Sequence, residues 1–242
     1  KFGNYDGTAE KYRSWFRFGE QYRHGYECWW DVPDLPNVEE NDPSFREFLC
    51  GEDGVVRRWL RRGASGWRLD VADELPDSLI RDIRTAMKAE KPDSLLLGEV
   101  WEDASCKVSY GALREYFLGS ELDATMHYPF RTAALDFLLG KINAETACNA
   151  LWTIFEHYPP ENLYAALNLI GSHDRARALT VLGGDTNALK LAMFLQFALP
   201  GVPCIYYGDE AGMTGGTDPY NRGSFPWGRG DASITDFVRS LT

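Results

Sequence analysis

Three acidic residues each stand at the end of a short apolar run of the kind that forms a β-strand. They are Asp70, Glu99 and Asp174, and Arg68 and His173 lie beside two of them. The carboxyl ends of parallel barrel strands face one edge, so the sequence predicts that the three carboxylates converge. Carboxylates held close together cannot all ionise freely, so one holds a proton while another stays anionic. The cleavage of a glycosidic bond requires that division of labour.

A structural interpretation of the same acids stays open. Strand side chains alternate between faces, so Arg68 and Asp70 share one face while Trp67, Leu69 and Val71 share the other. A buried ion pair between Arg68 and Asp70 that serves only the fold explains this pattern equally well. An acid that follows a strand also often caps the next helix.

The order of predicted elements indicates parallel pairing. Strands with centres near residues 68, 97, 125, 169 and 205 alternate with helices, which is typical of βαβ units. The centres are about 28 to 44 residues apart, against roughly 31 residues per unit of a (β/α)8 barrel. The predicted fold class is therefore α/β, a portion of a TIM (β/α)8 barrel with parallel strands. The sequence predicts helices over 43–62, 78–91, 130–139 and 188–199 and strands over 67–71, 94–101, 122–128, 163–171 and 202–207.

Composition and charge restrict the partners. The formal net charge of −11 argues against nucleic acid and anionic membranes, because both need a basic face. The five cysteines are widely spaced and form no C-x-x-C pair, so we expect free thiols in a reducing compartment and a cytoplasmic rather than a secreted protein. The sequence also lacks the motifs of zinc proteases, P-loop and dinucleotide-binding proteins and the serine-hydrolase elbow. No metal or cofactor is therefore predicted.

Four motifs resemble those of the α-amylase family of glycoside hydrolases, family 13, and within it the neopullulanase and cyclomaltodextrinase-like group. Gly66-Trp67-Arg68-Leu69-Asp70 is similar to the family's G-x-R-x-D strand, and Gly98-Glu99-Val100-Trp101 to its acid-bearing strand. Ser172-His173-Asp174 resembles its third acidic motif, and Asp218-Pro219-Tyr220-Asn221-Arg222 the group's D-P-x-x-R loop. In one departure, Arg175-Ala176-Arg177 stands where the family often has Thr-Pro before an arginine.

The resemblance implies a role for each of these residues. Asp70 would be the nucleophile that forms a glycosyl-enzyme, Glu99 the general acid and then base, and Asp174 the carboxylate that stabilises the transition state. Arg68 and His173 would hold Asp70 and the sugar. The other implied substrate-binding residues are Trp101, Asp218 and Arg222. For Asp218 and Arg222, a surface ion pair worth ~0–1 kcal/mol is an equally good interpretation.

The resemblance also implies which part of a larger enzyme this chain represents. Residues 1–41 are predicted to be an aromatic-rich loop region and the end of an inserted domain B, since Val32-Pro33-Asp34-Leu35 is similar to the family motif there. Residues 42–242 are predicted to be the C-terminal part of the catalytic barrel, about strands 4 to 8. The family's calcium sites lie mostly in other parts, so calcium is assigned only to a full-length protein.

The implied activity is retaining hydrolysis of α-glucans of the starch, maltooligosaccharide, cyclodextrin or pullulan type. The three acids do not distinguish water from sugar as the acceptor, so a transglycosylase or an α-glucosidase of the same family stays open. A catalytically silent glucan-binding fragment also stays open, because five strands of a barrel leave two apolar edges bare. From those edges we expect residues 1–242 alone to self-associate and to show at most weak activity.

Overall fold

A computed structural model describes residues 10–242, and the first nine residues of the predicted aromatic-rich stretch lie outside the described residues. The described chain divides into two compact units. The first comprises residues 10–67 and 74–95, and the second residues 68–73 and 96–242. Neither unit ends at residue 41, so the predicted boundary between a domain B and a barrel stays a prediction.

Three helices lie in the described part of the first unit, and the second and third of them bury apolar side chains. They are Pro43–Cys50 (α1), Val55–Arg61 (α2) and Asp77–Glu90 (α3). Helix α3 confirms the helix predicted over 78–91. Its apolar positions recur at helical spacing, and the residues that it buries are Leu79, Ile80, Ile83, Ala86 and Met87.

The prediction of one continuous helix before Gly63 is wrong. Helix α1 begins as the Asp42-Pro43 pair predicts, because the Asp42 carboxylate accepts a hydrogen bond of 2.8 Å from the Phe45 N–H. The chain then turns over residues 51–54 before α2 begins. An added Cβ at Gly54 would lie 2.8 Å from the Gly51 nitrogen, so the close backbone approach in this turn requires glycine.

One arginine ties together the described part of the aromatic-rich segment. The Arg17 guanidinium forms ion pairs with Glu27, Glu39 and Glu40 at 2.5 to 2.7 Å. Around it, residues 10–41 contain short 3-10 turns and isolated bridges. This part of the chain is therefore loop structure, as the lack of a regular apolar period predicts.

Parallel strands form the main sheet, and their spatial order follows the chain. The strands of the described residues are Gly66–Leu69 (β1), Leu95–Gly98 (β2), Val108–Ser109 (β3), Ala112–Leu113 (β4), Ala124–His127 (β5), Leu167–Leu169 (β6) and Val202–Cys204 (β7). The sheet order is β1-β2-β5-β6-β7, while β3 and β4 form a separate antiparallel hairpin. The registers of β2–β5, β5–β6 and β6–β7 are parallel. The predicted parallel α/β fold is thus confirmed.

Helices of the second unit alternate with these strands. They are Tyr128–Leu138 (α4), Ala144–His157 (α5), Pro160–Ala165 (α6), Ala178–Val181 (α7), Thr186–Ala198 (α8) and Ala232–Leu241 (α9). Helices α4 and α8 confirm the helices predicted over 130–139 and 188–199. The sequence does not predict α5, α6, α7 or α9.

All five predicted strands extend beyond the observed ones: the strand predicted over 94–101 spans Leu95–Gly98, that over 122–128 spans Ala124–His127, and that over 202–207 spans Val202–Cys204. The strand predicted over 163–171 begins only at Leu167, because Pro160 opens α6 and the chain stays helical to Ala165. The strand predicted over 67–71 ends at Leu69. Val71 has a φ of 42°, in the left-handed region, so it does not continue the alternation of side chains.

The strands are held in place by apolar clusters and by buried side chains that form hydrogen bonds. One cluster of the second unit contains Leu97, Ala124, Met126, Tyr128 and Leu169. Another cluster gathers Ile170 and side chains of α4, α7, α8 and α9. The fully buried Asn168 of β6 donates to the Pro200 carbonyl (3.0 Å), and its Oδ1 lies 3.0 Å from His127 Nδ1 on β5. Such satisfied polar contacts hold β5, β6 and the approach to β7 in register.

Candidate active site

The first candidate acid stands where β1 gives way to a turn. Arg68 and Asp70 lie two residues apart and their side chains form an ion pair. The Asp70 side chain is 77% exposed, while Arg68 is partly buried. A pair with one solvent-exposed member is not the buried structural ion pair that the sequence left open. Asp70 is instead accessible to a ligand.

The second candidate acid is buried and held by three donors. Glu99 follows β2 and its side chain is 5% exposed. Its Oε2 accepts a hydrogen bond from the Val71 N–H (2.9 Å) and lies 3.1 Å from Arg68 Nη2. Its Oε1 accepts a hydrogen bond from Trp101 Nε1 (3.0 Å). Each oxygen of this carboxyl group therefore has a defined partner.

Arg68 brings the first two acids together. One Nη contacts Asp70 and the other contacts Glu99, so a single guanidinium lies between two carboxyl groups of neighbouring strands. Its positive charge offsets the repulsion between them. The predicted convergence of Asp70 and Glu99 at one sheet edge is confirmed.

The third candidate acid lies on the loop after β6. Asp174 Oδ2 is 3.0 Å from His173 Nε2, and Oδ1 is 3.6 Å from Arg222 Nη2. Its backbone N–H donates to Ser172 Oγ (3.3 Å). The contact described for the His173 ring is with Asp174 and not with Asp70. Of the two residues expected beside Asp70, the structure therefore places Arg68 there.

Tyr128 connects the surroundings of Asp174 to those of Glu99. Its hydroxyl donates to Ser172 Oγ (3.2 Å), and its ring centroid is 5.1 Å from that of Trp101. Burial raises the pKa of the Tyr128 hydroxyl, the hydrogen bond with Ser172 lowers it, and the nearby carboxyl groups raise it. Through its contacts with Ser172 and Trp101, Tyr128 lies between the loop of Asp174 and the end of β2.

The loop of Asp218 and Arg222 contacts the Asp174 segment. Arg222 Nε lies 3.0 Å from Asp218, so the predicted surface ion pair exists, but the same guanidinium also reaches Asp174. The sequence reasoning misses Asn221 between them. This fully buried side chain donates to the carbonyls of His173 (2.6 Å) and Arg175 (2.9 Å). Only its position inside the D-P-x-x-R-like motif could have drawn attention to it.

A buried ion pair lies at the exit of β7. Arg177 and Asp209 are 0% and 2% exposed, and their nearest nitrogen and oxygen are 3.1 Å apart. Burial raises the pKa of the Asp209 carboxyl to about 7 against the opposing charge of Arg177. An added Cβ at Gly171 would lie 2.1 Å from Asp209 Oδ2, so this approach requires glycine between β6 and the Asp174 loop.

Other features of the described residues lie apart from these acids. Among residues 10–242 no group of three His, Cys, Asp or Glu side chains is arranged to hold a metal ion. The helices in that range are all too short or too polar to cross a membrane. A cavity of about 430 Å³ in the first unit contains none of the three acids, and its lining includes Tyr12, Trp15 and Phe48.

Comparison with known families accounts for this arrangement. The family described as alpha amylase, catalytic domain, matches residues 9–232, which is most of the chain. The chain belongs to the alpha-amylase family. This membership confirms the resemblance carried by the strand and loop motifs.

Among alpha-amylase family relatives, the chain is similar to a cyclomaltodextrinase of Geobacillus thermopakistaniensis. The two are 38% identical over 229 residues, which cover 92% of this chain and 37% of the relative. Neopullulanase 2 of Thermoactinomyces vulgaris is 36% identical over 229 residues, which cover 91% of this chain and 37% of the relative. The chain thus spans little more than a third of the length of these curated relatives.

A solved structure shows the same fold. It is the cyclic alpha-maltosyl-(1→6)-maltose hydrolase of Arthrobacter globiformis in complex with that compound, with a TM-score of 0.88 and 31% identity. The match covers 99% of this chain and 53% of the other chain. The fold is therefore that of an alpha-amylase TIM-barrel domain, of which the chain covers a part.

Proposed function

We propose that the protein containing this chain is a retaining glycoside hydrolase of α-glucans. The observation that carries this proposal is that Arg68 contacts Asp70 and Glu99 at once, with Asp70 exposed and Glu99 buried. Retaining enzymes place their two carboxyl groups about 5–5.5 Å apart, whereas inverting enzymes leave about 6.5–9.5 Å for a water molecule. Two carboxyl groups that share one guanidinium favour the shorter spacing.

Exposure and hydrogen bonding support Asp70 as the nucleophile and Glu99 as the general acid and base. The open Asp70 attacks the anomeric carbon while the glycosidic C–O bond breaks, and Glu99 gives its proton to the leaving oxygen. Two donors, the Val71 N–H and Arg68, contact Glu99 Oε2, whereas the Trp101 N–H contacts Oε1, so we assign that proton to Oε1, the oxygen with fewer donors. Water then attacks the glycosyl-enzyme, Glu99 takes a proton from the water, and Asp70 leaves as a carboxylate.

The remaining predicted residues fit supporting roles in this proposal. Asp174, paired with His173 and near Arg222, supplies negative charge toward the oxocarbenium-like transition state. Arg222 and Asp218 form a polar pair that suits sugar hydroxyls, and the 40%-exposed Trp101 offers an aromatic surface. A neutral oligosaccharide also suits a chain of net charge −11.

The names of the relatives indicate the substrate class to test. They are a cyclomaltodextrinase, a neopullulanase and a hydrolase of cyclic alpha-maltosyl-(1→6)-maltose. For this protein we propose α-glucans of the cyclodextrin, maltooligosaccharide, starch and pullulan type. A transglycosylase would use the same three acids, so the test below also determines whether water or a sugar accepts the glycosyl group.

The test follows product anomers in the full-length protein. NMR during hydrolysis of maltotetraose, β-cyclodextrin and pullulan should show the α-anomer first. Glu99→Gln should lower the rate at least 100-fold, and the control Glu102→Gln, which changes an exposed carboxylate, should not. A first product of β configuration would contradict the mechanism, and oligosaccharides longer than the substrate would identify a transglycosylase.

We further propose self-association of residues 1–242 on their own. Strands β1 and β7 are the terminal strands of the described sheet, and unpaired strand edges favour pairing with another chain. Light scattering of the 242-residue chain should give a mass above that of a monomer, and a monomer at micromolar concentration would contradict the proposal.

We also propose a reducing, cytoplasmic setting for the protein, because its five cysteines are free.

A further inference from the structure

Arg175 places its positive charge over an aromatic ring of the candidate site. Its guanidinium carbon lies 4.1 Å from the centroid of the Trp101 ring. A cation within about 6 Å of an indole face is attracted by the negative face of the ring, and tryptophan is the strongest aromatic partner. Arg175 Nε is buried and has no hydrogen-bond partner among the described residues, so the ring contact is the defined interaction of this head group.

The backbone that carries Arg175 is fixed. Its carbonyl accepts a hydrogen bond from the buried Asn221 amide (2.9 Å), which also holds the carbonyl of His173. The guanidinium therefore extends from an anchored loop. Trp101 also lies outside regular structure, after the end of β2, and the contacts described for it are those of its indole with Glu99, Tyr128 and Arg175. Of the two partners, Arg175 has the better-fixed backbone and Trp101 is the one that is restrained.

The contact with Arg175 matters because Trp101 also hydrogen-bonds to Glu99. Its indole N–H donates the hydrogen bond of 3.0 Å to Glu99 Oε1, the oxygen to which the transferred proton is assigned. An indole that tilts by a small angle lengthens this bond and loosens Oε1, while the Val71 N–H and Arg68 still hold Oε2. General acid catalysis depends on the geometry of the acid, and small misplacements are costly.

We propose that Arg175 is a positioning residue for the acid step, because it holds Trp101 so that the indole N–H keeps Glu99 aimed at the leaving oxygen. This inference rests on the proposed function, in which Glu99 is the general acid. Arg175 itself is not required to touch the substrate. Its removal should therefore harm the proton transfer more than the binding of substrate.

The dependence on the leaving group distinguishes positioning from simple packing. Maltotriose has a poor leaving group that needs a proton, whereas the fluoride of α-maltosyl fluoride departs with little help. In the full-length protein, Arg175→Gln should lower kcat on maltotriose about 10-fold, with KM changed less than about twofold, and should lower kcat on the fluoride less than about twofold. Arg175→Lys keeps a cation and should recover most of the loss. The control Arg239→Gln changes an exposed ion pair and should leave kcat unchanged on both substrates.

A double-mutant cycle tests the route through Trp101. Trp101→Phe keeps a ring but removes the N–H, so it should show the same preference for the fluoride. Adding Arg175→Gln to Trp101→Phe should then cause no further loss of kcat on maltotriose. Equal losses on both substrates, a change confined to KM, or additive effects in the cycle would overturn the inference.

Failure of the proposed function gives a different result. Glu99→Gln should be far less impaired on the fluoride than on maltotriose if Glu99 is the acid. If Glu99→Gln shows that difference and Arg175→Gln does not, only the positioning role of Arg175 is wrong. If Glu99→Gln is equally impaired on both substrates, the assignment of the acid fails and the positioning role fails with it.

Discussion

The backbone N–H of Val71 donates a hydrogen bond to Glu99 Oε2 across 2.9 Å. Val71 directly follows Asp70, so this bond ties the backbone beside one candidate acid to the side chain of the other. Val71 forms this bond with a φ of 42°, which is unfavourable for a β-branched residue. Such strain costs of order 1–3 kcal/mol and is typical of functional sites, where the surroundings hold the backbone in place.

Glycine at this position should relieve the strain. Val71→Gly and Val71→Ala both remove the valine side chain, but only glycine adopts a positive φ without a steric penalty. We expect the glycine variant to unfold with a free energy about 1 kcal/mol higher than the alanine variant. Urea denaturation of the two variants measures this difference. Equal stabilities, or a more stable alanine variant, would show that Val71 is not strained in the native protein.

Asn221 should prove essential for the loop that carries Asp174. Removing its amide leaves the carbonyls of His173 and Arg175 without a donor, and Asn221→Ala should lower the free energy of unfolding by about 1–3 kcal/mol. Hydrolysis should fall as well, because Asp174 loses its fixed position. The control Asn149→Ala changes an exposed side chain on α5 and should stay within about 0.5 kcal/mol. A similar small effect for both variants would contradict the anchoring role.

The contribution of Asp209 to stability should fall as pH rises toward 7. Burial raises the folded-state pKa of this carboxyl to about 7, and Glu210 raises it while Arg177 and Arg131 lower it. A raised folded-state pKa means that the native state binds more protons than the unfolded state between about pH 4 and pH 7. The contribution of Asp209 is therefore fully present below about pH 4 and is lost as pH rises toward 7.

The variant Asp209→Asn removes this titration. Its free energy of unfolding, subtracted from that of the parent at each pH, should give a difference that declines across the same window by up to about 1.4 kcal/mol per pH unit. The control Asp236→Asn, at an exposed pair with Arg239, should leave the slope of the parent unchanged. A difference that stays constant from pH 4 to pH 7 would show that Asp209 does not titrate there.

The sequence predicts the fold best where side-chain periodicity reports burial. Helix α3 and strand β2 follow from their apolar patterns, and the acids at strand ends follow from the geometry of parallel sheets. Periodicity does not reveal where a buried element stops. The turn over residues 51–54 interrupts a helical pattern because backbone atoms approach closely there, and Pro160 starts a helix inside an apolar run.

The supporting contacts of the site could not be predicted, because they depend on backbone direction and on distant parts of the chain. The Val71 N–H reaches Glu99 only because Val71 leaves the strand, whereas the alternation rule keeps it in the strand. Asn221 and Arg175 are 46 residues apart and meet through a side-chain bond to a carbonyl. The resemblance of motifs identified the three acids but carried no information about Arg175, where the chain departs from the family pattern.

Mass spectrometry can detect the proposed glycosyl-enzyme on Asp70. The full-length protein is incubated with 5-fluoro-maltosyl fluoride, whose glycosyl-enzyme breaks down slowly, and is then digested with pepsin. We predict a covalent maltosyl adduct on the peptide that contains Asp70, and none in an Asp70→Asn variant. An adduct on Glu99 or Asp174, or turnover with inverted products and no adduct, would contradict the account.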